Sequence, residues 1–314
     1  MTYDDFLAEW RNDSDSIRCF TSGSTGAPQP ILLPKREVLA SARRTVDFFN
    51  LGKDSFLYSC VSPDFIGGKM VAVRAFSIDP AAPRFGYENP SNRPLAGYDG
   101  PLIDLLSVVP SQMEWIVDNL ADVPSLGAIL VGGSFIPDSL RRKIAASGLN
   151  AWETYGMTET ASHVALRKIE WPQSPFSPLP GIKISDADGC LRIDIEGWKQ
   201  VITHDLVRID GEGRFEIYGR SDNVIITGAK KVFPEEVEAL LEGIFPFDLA
   251  ISWEPDEKWG QKVVMIADCN PAGEWSEQRI IAACKGILPP HQVPKGVVYG
   301  RVPRTPNGKI RRKR

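Results

Sequence analysis

The chain has 314 residues, 43% hydrophobic and 24% charged, a globular balance with room for one large and one small domain. Its 36 basic and 40 acidic residues leave a net charge of −4, which excludes a broad basic field, so no nucleic-acid partner is expected. Five cysteines (Cys19, Cys60, Cys190, Cys269 and Cys284) form no C-x-x-C pair, the start is acidic without a signal-like stretch, and no apolar run would span a bilayer; the expectation is a reduced, cytoplasmic protein without disulfides, a cysteine zinc site or a membrane partner.

Tyr3, Phe6, Leu7 and Trp10 recur at helical spacing and open the chain with a short helix. A polar break over 12–16 leads to an apolar run, Ile17 to Phe20, then a loop, then Ile31-Leu32-Leu33: strand, tight loop, strand. Val38, Leu39, Ala42, Val46 and Phe49 mark a second helix. Phe56 to Val61 reads as a strand and Phe65 to Phe76 as a helix carrying Lys69 and Arg74. Residues 80–101, rich in Pro, Gly and Asn, read as a long loop.

From there strands and helices alternate: Leu106 to Val109, Gln112 to Leu120, Leu126 to Val131, Pro137 to Ala146, Asn150 to Tyr155. Alternation of this kind predicts an α/β fold, a parallel sheet covered by helices, with ligands beyond the carboxyl ends of the strands. Two unusual stretches occupy that position: Gly132-Gly133-Ser134 and Tyr155-Gly156-Met157-Thr158-Glu159. After residue 180 short alternating runs (182–184, 190–195, 201–209, 214–218) predict a small antiparallel sheet or barrel. From Asp222 a hairpin, a helix near Pro234 to Leu241, two strands near 249–253 and 263–268, and a helix near 277–285 predict a compact α+β domain. The expected boundary gives domains 1–221 and 222–314.

Thr21, Ser22, Gly23, Ser24, Thr25 and Gly26 set four hydroxyls and two glycines in six positions. Glycines let backbone N–H groups turn toward one point and hydroxyls add uncharged donors, which suits phosphate oxygens; a plain polar hairpin turn is the alternative. No Gly-Lys-Ser/Thr follows, so the loop is not a Walker A. Tyr155 offers an aromatic face for a purine and Glu159 a carboxylate for Mg²⁺ beside phosphates, against a strand end followed by a helix capped by Thr158. Asp205 and the run Gly219-Arg220-Ser221-Asp222 offer groups for a vicinal diol, against ordinary turn residues. Near the end, Thr305-Pro306-Asn307-Gly308-Lys309 stiffens and turns the chain before one lysine, against a bland basic tail.

In chain order, Phe20 to Pro28, Tyr155 to Glu159, Gly219 to Asp222 with Gly228 to Glu238, and Pro303 to Ile310 resemble the core motifs of the adenylate-forming acyl- and aryl-CoA synthetases. Within that family, Gly67-Gly68-Lys69-Met70 leading to Arg74, and Gly132 to Pro137, look most like the o-succinylbenzoate–CoA ligases of menaquinone synthesis. The resemblance implies an ATP-dependent ligase that uses Mg²⁺ and coenzyme A: a carboxylate attacks the α-phosphate, pyrophosphate leaves, and the acyl-adenylate meets the thiol. It implies that Thr21 to Gly26 hold the β- and γ-phosphates, Thr158 the α-phosphate, Glu159 Mg²⁺, and Asp205 and Arg220 the ribose. Gly132, Gly133, Ser134, Tyr155 and Gly156 would enclose the adenine. Lys309 would bridge the attacking carboxylate and the α-phosphate, then leave as the small domain turns about Asp222, and Gly228-Ala229-Lys230 would line the thiol's tunnel. Lys69 and Arg74 would meet the acid substrate, Arg74 through a second carboxylate; a snorkelling surface arginine is the alternative.

The chain departs from the family pattern at Gln29, where a lysine is usual and where Lys35 is the nearby substitute, and at His204 in Thr203-His204-Asp205. His163 and His204 are read as structural. Most of the region that precedes the hydroxyl loop in longer members is lacking, so either the remainder or the second copy of a homodimer closes the pocket. Three activities compete: a ligase for o-succinylbenzoate or another aryl or acyl acid, an adenylation domain loading a carrier protein, and a nucleotide-binding protein without catalysis.

Overall fold

The computed structural model describes residues 1–20, 29–271, 273–304 and 310–312. The hydroxyl loop (Thr21, Ser22, Gly23, Ser24, Thr25, Gly26) and Lys309 therefore lie outside the described residues. By contacts the chain forms two units: 1–184 with 193–201 and 211–214, and 185–192 with 202–210 and 215–314.

In the first unit, helix α1 (Tyr3–Arg11) starts on a capping box: Thr2 Oγ1 accepts from the Asp5 N–H at 3.1 Å, and Asp5 Oδ2 from the Thr2 N–H at 2.8 Å. Strands β1 (Ser16–Phe20) and β2 (Pro30–Pro34) pair antiparallel, with Phe20 opposite Pro30 at the loop end. The predicted strand–loop–strand is thus present up to both edges of the loop. Helices α2 (Lys35–Phe48) and α3 (Ile66–Ile78) pack with α1 and this hairpin around Phe6, Ile17, Leu33, Val38, Ala42, Met70 and Val73. Every α3 residue from Gly68 to Ala75 is buried, which suits a helix apolar around nearly its whole circumference.

The main sheet follows the alternation read in the sequence. Strands β3 (Leu57–Ser59), β4 (Phe85–Tyr87), β5 (Ile103–Val108), β6 (Leu126–Val131) and β7 (Asn150–Met157) run parallel in the order β4-β3-β5-β6-β7. Helices α4 (Pro110–Asp118) and α5 (Asp138–Ser147) cover them through Met113, Ile116, Leu140 and Ile144. Gly148 in the left-handed region, φ 75°, ends α5. Two antiparallel strands, β8 (Ser162–Lys168) and β9 (Ser177–Pro178), extend the edge beyond β7. Strand β8 is absent from the predicted elements, and β4 falls within the predicted long loop of residues 80–101. Leu57, Tyr58 and Ser59 pair with Phe85, Gly86 and Tyr87, so a neighbouring strand overrides the local turn composition there.

Strands β10 (Ile182–Ala187), β11 (Cys190–Ile195), β12 (Gln200–Ile209) and β13 (Phe215–Arg220) form the small sheet in sequential order, as the 180–220 pattern predicts; their residues are divided between the two units. The rest of the second unit has β14 (Ile225–Thr227), β15 (Lys230–Val232), helix α6 (Pro234–Leu241), β16 (Leu249–Asp256), β17 (Gly260–Ala267), helix α7 (Glu277–Lys285) and β18 (Val297–Tyr299). Its sheet runs β15-β14-β17-β16, with β18 parallel to β17, over a core of Val237, Leu241, Ile251, Met265, Ile280 and Cys284.

Candidate active site

In the first unit the stretch after β6 lies against β7, whose last three residues, Tyr155 to Met157, open the second motif. Val131 pairs with Glu153, and a Cβ on Gly132 would displace Thr154 Oγ1, so the bare glycine lets that hydroxyl lie close to the backbone. Gly133 holds φ 94°. Gly156 sits flat against Ser162 and His163 of β8, where a Cβ would collide with backbone. Tyr155 is nearly buried and packs on Phe176, ring centroids 5.8 Å apart.

The chain then turns through a single 3₁₀ turn, Thr158–Thr160. Thr160 Oγ1 accepts from the Met157 N–H at 3.0 Å and closes the turn. Ala161 and Ser162 follow with φ 53° and 90°, an unusual conformation for two consecutive non-glycine residues, and the chain reverses into β8 rather than a helix. Thr158, buried, donates its hydroxyl to the carbonyl of Phe20 at 3.1 Å. The root of the hydroxyl loop and the Tyr155–Glu159 motif, 138 residues apart in the chain, are therefore in contact.

Glu159 is half-buried. Burial holds Lys199 below the usual lysine range, and the Glu159 carboxylate offsets part of that. The Lys199 ammonium lies 4.3 Å from the Trp198 ring centroid. Lys199 and Glu159 lie 40 positions apart, so their link exists only in the folded unit. Lys35, in contrast, donates to the carbonyl and side chain of Asn12 at 2.7 and 3.0 Å; that explains its presence without a phosphate.

Arg74 is 2% exposed, which rules out a snorkelling surface residue. Burial alone pulls it down to about 9, with no carboxylate opposing the shift, and its Nε has no hydrogen-bond partner among the described residues. His163, fully buried, is held well below its ordinary range by burial and then by the charge of Arg74; its Nε2 lies 2.9 Å from Thr45 Oγ1. This agrees with a neutral, structural imidazole.

Lys69 differs. Its ammonium donates to the Arg18 carbonyl at 3.2 Å, lies 3.0 Å from Met1 Sδ and 3.7 Å from Glu9 Oε2, and sits 4.9 Å from the Phe6 ring centroid. Five positions separate it from Arg74, about 140° around the helix. Through these contacts Lys69 staples α3 to α1 and β1.

In the second unit, Asp205 and Arg220 face each other across β12 and β13, with Arg220 Nη1 donating to Asp205 Oδ1 at 3.0 Å. Arg220 also grips Asp222 with two bonds, Nε to Oδ1 at 2.9 Å and Nη2 to Oδ2 at 2.8 Å. Burial depresses Arg220, but the bonds and charges of Asp222 and Asp205 outweigh it and raise the guanidinium. Asp222 is likewise pushed up by burial and, on balance, held down by Arg220. Ribose candidates and hinge candidate thus form one clasp.

Gly228 and Ala229, φ 54° and 63°, make the two-residue turn between β14 and β15, both in the left-handed region. A Cβ on Gly228 would press into the Trp259 indole, whose backbone carbonyl accepts the Gly228 N–H at 3.0 Å. Trp259 is 40% exposed, Lys258 lies 4.8 Å from its ring centroid, and Lys230 is exposed at the end of the turn. Trp259 lies 31 residues from Gly228 in the chain, so their contact has no signal in the sequence.

The chain matches the family model described as AMP-binding enzyme over residues 8–195. An indoleacetate–CoA ligase of Aromatoleum aromaticum is 25% identical over 94% of this chain and 65% of its own length. A 2-succinylbenzoate–CoA ligase of Salmonella typhimurium is 31% identical over 75% of this chain and 54% of its own. The chain thus spans between about half and two thirds of these relatives. A solved acyl-CoA synthetase (AMP-forming)/AMP-acid ligase II-like protein from Dyadobacter fermentans shares 31% identity at a TM-score of 0.62, covering 98% of this chain and 90% of that one.

Proposed function

Because the chain belongs to the AMP-binding enzyme family, we propose that it is an acid–CoA ligase: it condenses a carboxylic acid with ATP to an acyl-adenylate, then transfers the acyl group to coenzyme A. A carboxylate oxygen bonds to the α-phosphorus as the bond to pyrophosphate breaks. The thiol sulfur then bonds to the acyl carbon as AMP leaves. The observation that carries this reading is the bond from Thr158 to the Phe20 carbonyl, which ties the hydroxyl loop's root to the motif bearing Glu159.

Two anions must approach in the first step, so the work is charge neutralisation and positioning. In this reading Thr158 turns its hydroxyl to the α-phosphate and Glu159 holds Mg²⁺. One carboxylate plus phosphate oxygens is the donor set Mg²⁺ takes, and bound there it would neutralise phosphate charge. Tyr155 and Gly132 to Ser134 flank the adenine, and the Asp205–Arg220 pair meets the ribose. Residues 222–314 act as a lid turning about Asp222 and delivering Lys309. The Gly228–Ala229 turn passes the pantetheine.

The substrate we assign is an aromatic acid with a second carboxylate, o-succinylbenzoate as the first choice. Arg74 supports this: it is a buried cation without a carboxylate partner among the described residues, and a second substrate carboxylate would supply one. A monoacid such as indoleacetate would leave it unpaired.

The test offers ATP, Mg²⁺ and CoA with o-succinylbenzoate, indoleacetate, benzoate and fatty acids, and scores AMP release and thioester mass. The expected result is turnover with the diacid, and loss of adenylation in Lys309→Ala while thioester formation from supplied acyl-adenylate persists. Pyrophosphate exchange without any CoA thioester would favour a carrier-protein loader, and nucleotide binding without exchange would end the enzymatic reading.

A further inference from the structure

The segment between β6 and α5 carries a side chain with no part in the chemistry above. Phe135 is 67% exposed, the most exposed of the large apolar side chains among the described residues. Its backbone is anchored on both sides. Upstream, the Gly132 N–H donates to the Val108 carbonyl at 3.1 Å, and Gly133 turns the chain at φ 94°. Downstream, Ile136 is fully enclosed in the core with Leu140 and Ile144. Pro137 then leads into α5, where the Arg141 N–H donates to the Pro137 carbonyl at 2.9 Å. A phenyl ring is thus held in solvent on a fixed backbone.

Single apolar side chains on a surface are ordinary, so the place of this one decides more than its exposure. In a sheet of parallel strands ligands bind beyond the carboxyl ends. Phe135 follows the end of β6 on the same connection as Gly132 to Ser134. Gly132 lies against Thr154 of β7, so this connection starts beside the strand that ends in Tyr155 to Met157. Tyr155 itself has little face to give. It is 9% exposed, and its ring packs on Phe176 with 5.8 Å between centroids. Stacking on a base requires an open aromatic face. Of these two rings, Phe135 has one in the free protein and Tyr155 has not.

We propose that Phe135 is a further nucleotide-binding residue: its ring stacks on the purine and supplies the aromatic face that Tyr155 gives to Phe176. This rests on the reading of Gly132 to Ser134 and Tyr155 to Glu159 as the nucleotide site. Phenylalanine has two side-chain torsions, so ordering its ring on a base costs little entropy. Covering the ring also removes apolar surface from water, which adds to the stacking. A phenyl group has neither donor nor acceptor, so the contact favours a flat base without choosing among bases.

The experiment is equilibrium titration of the full chain with MgATP and with AMP, for wild type, Phe135→Tyr, Phe135→Leu and Phe135→Ala. Phe135→Ala should raise both Kd values by about tenfold, the scale of a lost base–aromatic stack, and by the same factor, because both ligands carry the base. Phe135→Tyr should bind as wild type does. Phe135→Leu, apolar but without a π-face, should lose most of what alanine loses. Denaturation midpoints should agree across the series, since the side chain is exposed in the free protein. The proposal is overturned if Phe135→Ala leaves either Kd unchanged, if Phe135→Leu binds as tightly as wild type, or if the loss of affinity tracks a fall in the midpoint. A wild type that binds neither nucleotide would defeat the nucleotide site and this proposal together. An intact ATP affinity in Phe135→Ala would defeat this proposal alone.

Discussion

Thr158 Oγ1 donates to the carbonyl oxygen of Phe20 at 3.1 Å, joining the last residue of β1 to the first residue of the turn after β7. A threonine hydroxyl has one proton to give, so in this conformation it is spent on the protein and not on a phosphate. Binding ATP in the proposed manner requires the hydroxyl to rotate, which frees the Phe20 carbonyl. Thr158→Val should therefore act twice. It should lower stability by about 1 kcal/mol, the net worth of one part-buried hydrogen bond. It should also slow adenylation by about a hundredfold, the usual cost of losing one donor to a developing oxyanion. Thr158→Ser should recover most of both. Denaturation midpoints and pyrophosphate exchange on the two variants decide it; slowing of equal size in Val and Ser would mean the hydroxyl is not the active feature.

Arg74 sets stability against function. A buried guanidinium with no carboxylate partner among the described residues is costly, so Arg74→Met should raise stability by about 1–4 kcal/mol. The same change should raise KM for an acid with two carboxylates by tenfold or more and leave benzoate unaffected. Thermal melts and steady-state kinetics measured together provide the check. A destabilised variant would show that Arg74 has a partner in the free protein, and an unchanged diacid KM would remove the reason for assigning that substrate.

Much of the architecture is legible residue by residue where burial imposes a period. Leu126–Val131 and Cys190–Ile195 end where the apolar pattern ends, and Pro234–Leu241 is bounded by proline at its start. What escaped reading depends on contacts distant in sequence. Strand β8 is buried over Ser162 to Arg167, so it lacks the in–out alternation that betrays a strand, and it enters through Ala161 and Ser162 at positive φ, which neither residue type advertises. The partners of Lys69, Glu9, Arg18 and Phe6, come from other elements and are invisible in its own stretch. Asp205 and Arg220, assigned to the same small-sheet region in the sequence, stand opposite each other because neighbouring strands of a meander pair.

Glu238 should give the second unit a pH signature. Burial raises its carboxyl from 4.5 to about 7, so between those values the folded state keeps a proton that the unfolded chain has released. Folding then binds the extra proton, and stability falls as pH rises from about 4.5 to 7, levelling above that. Relative to Glu238→Gln, the wild type should lose about 2–4 kcal/mol across this window. Urea midpoints for both proteins at half-unit pH intervals measure the difference. A flat difference, or one that grows as pH falls, would show that Arg312 keeps Glu238 ionised throughout.

The sheet edge beside the candidate site depends on a buried triad. Glu153 Oε2, on β7, accepts from Arg141 Nη2 of α5 and from Arg167 Nε of β8, each at 2.8 Å. Arg141 is fully enclosed, and its Nε and Nη1 have no hydrogen-bond partner among the described residues. One carboxylate thus serves two buried cations, and it joins a helix to two strands just ahead of Tyr155. Glu153→Gln keeps the shape but removes the charge and should cost about 3–5 kcal/mol, the penalty for stranding a buried ion. Removing a cation as well should relieve it, so Glu153→Gln with Arg141→Met should recover a large part of the loss, whereas Arg141→Met alone should be mild. A double-mutant cycle on unfolding free energies tests this. Additive effects of the two substitutions would mean that the charges are screened by water and that shape alone holds β7 against α5.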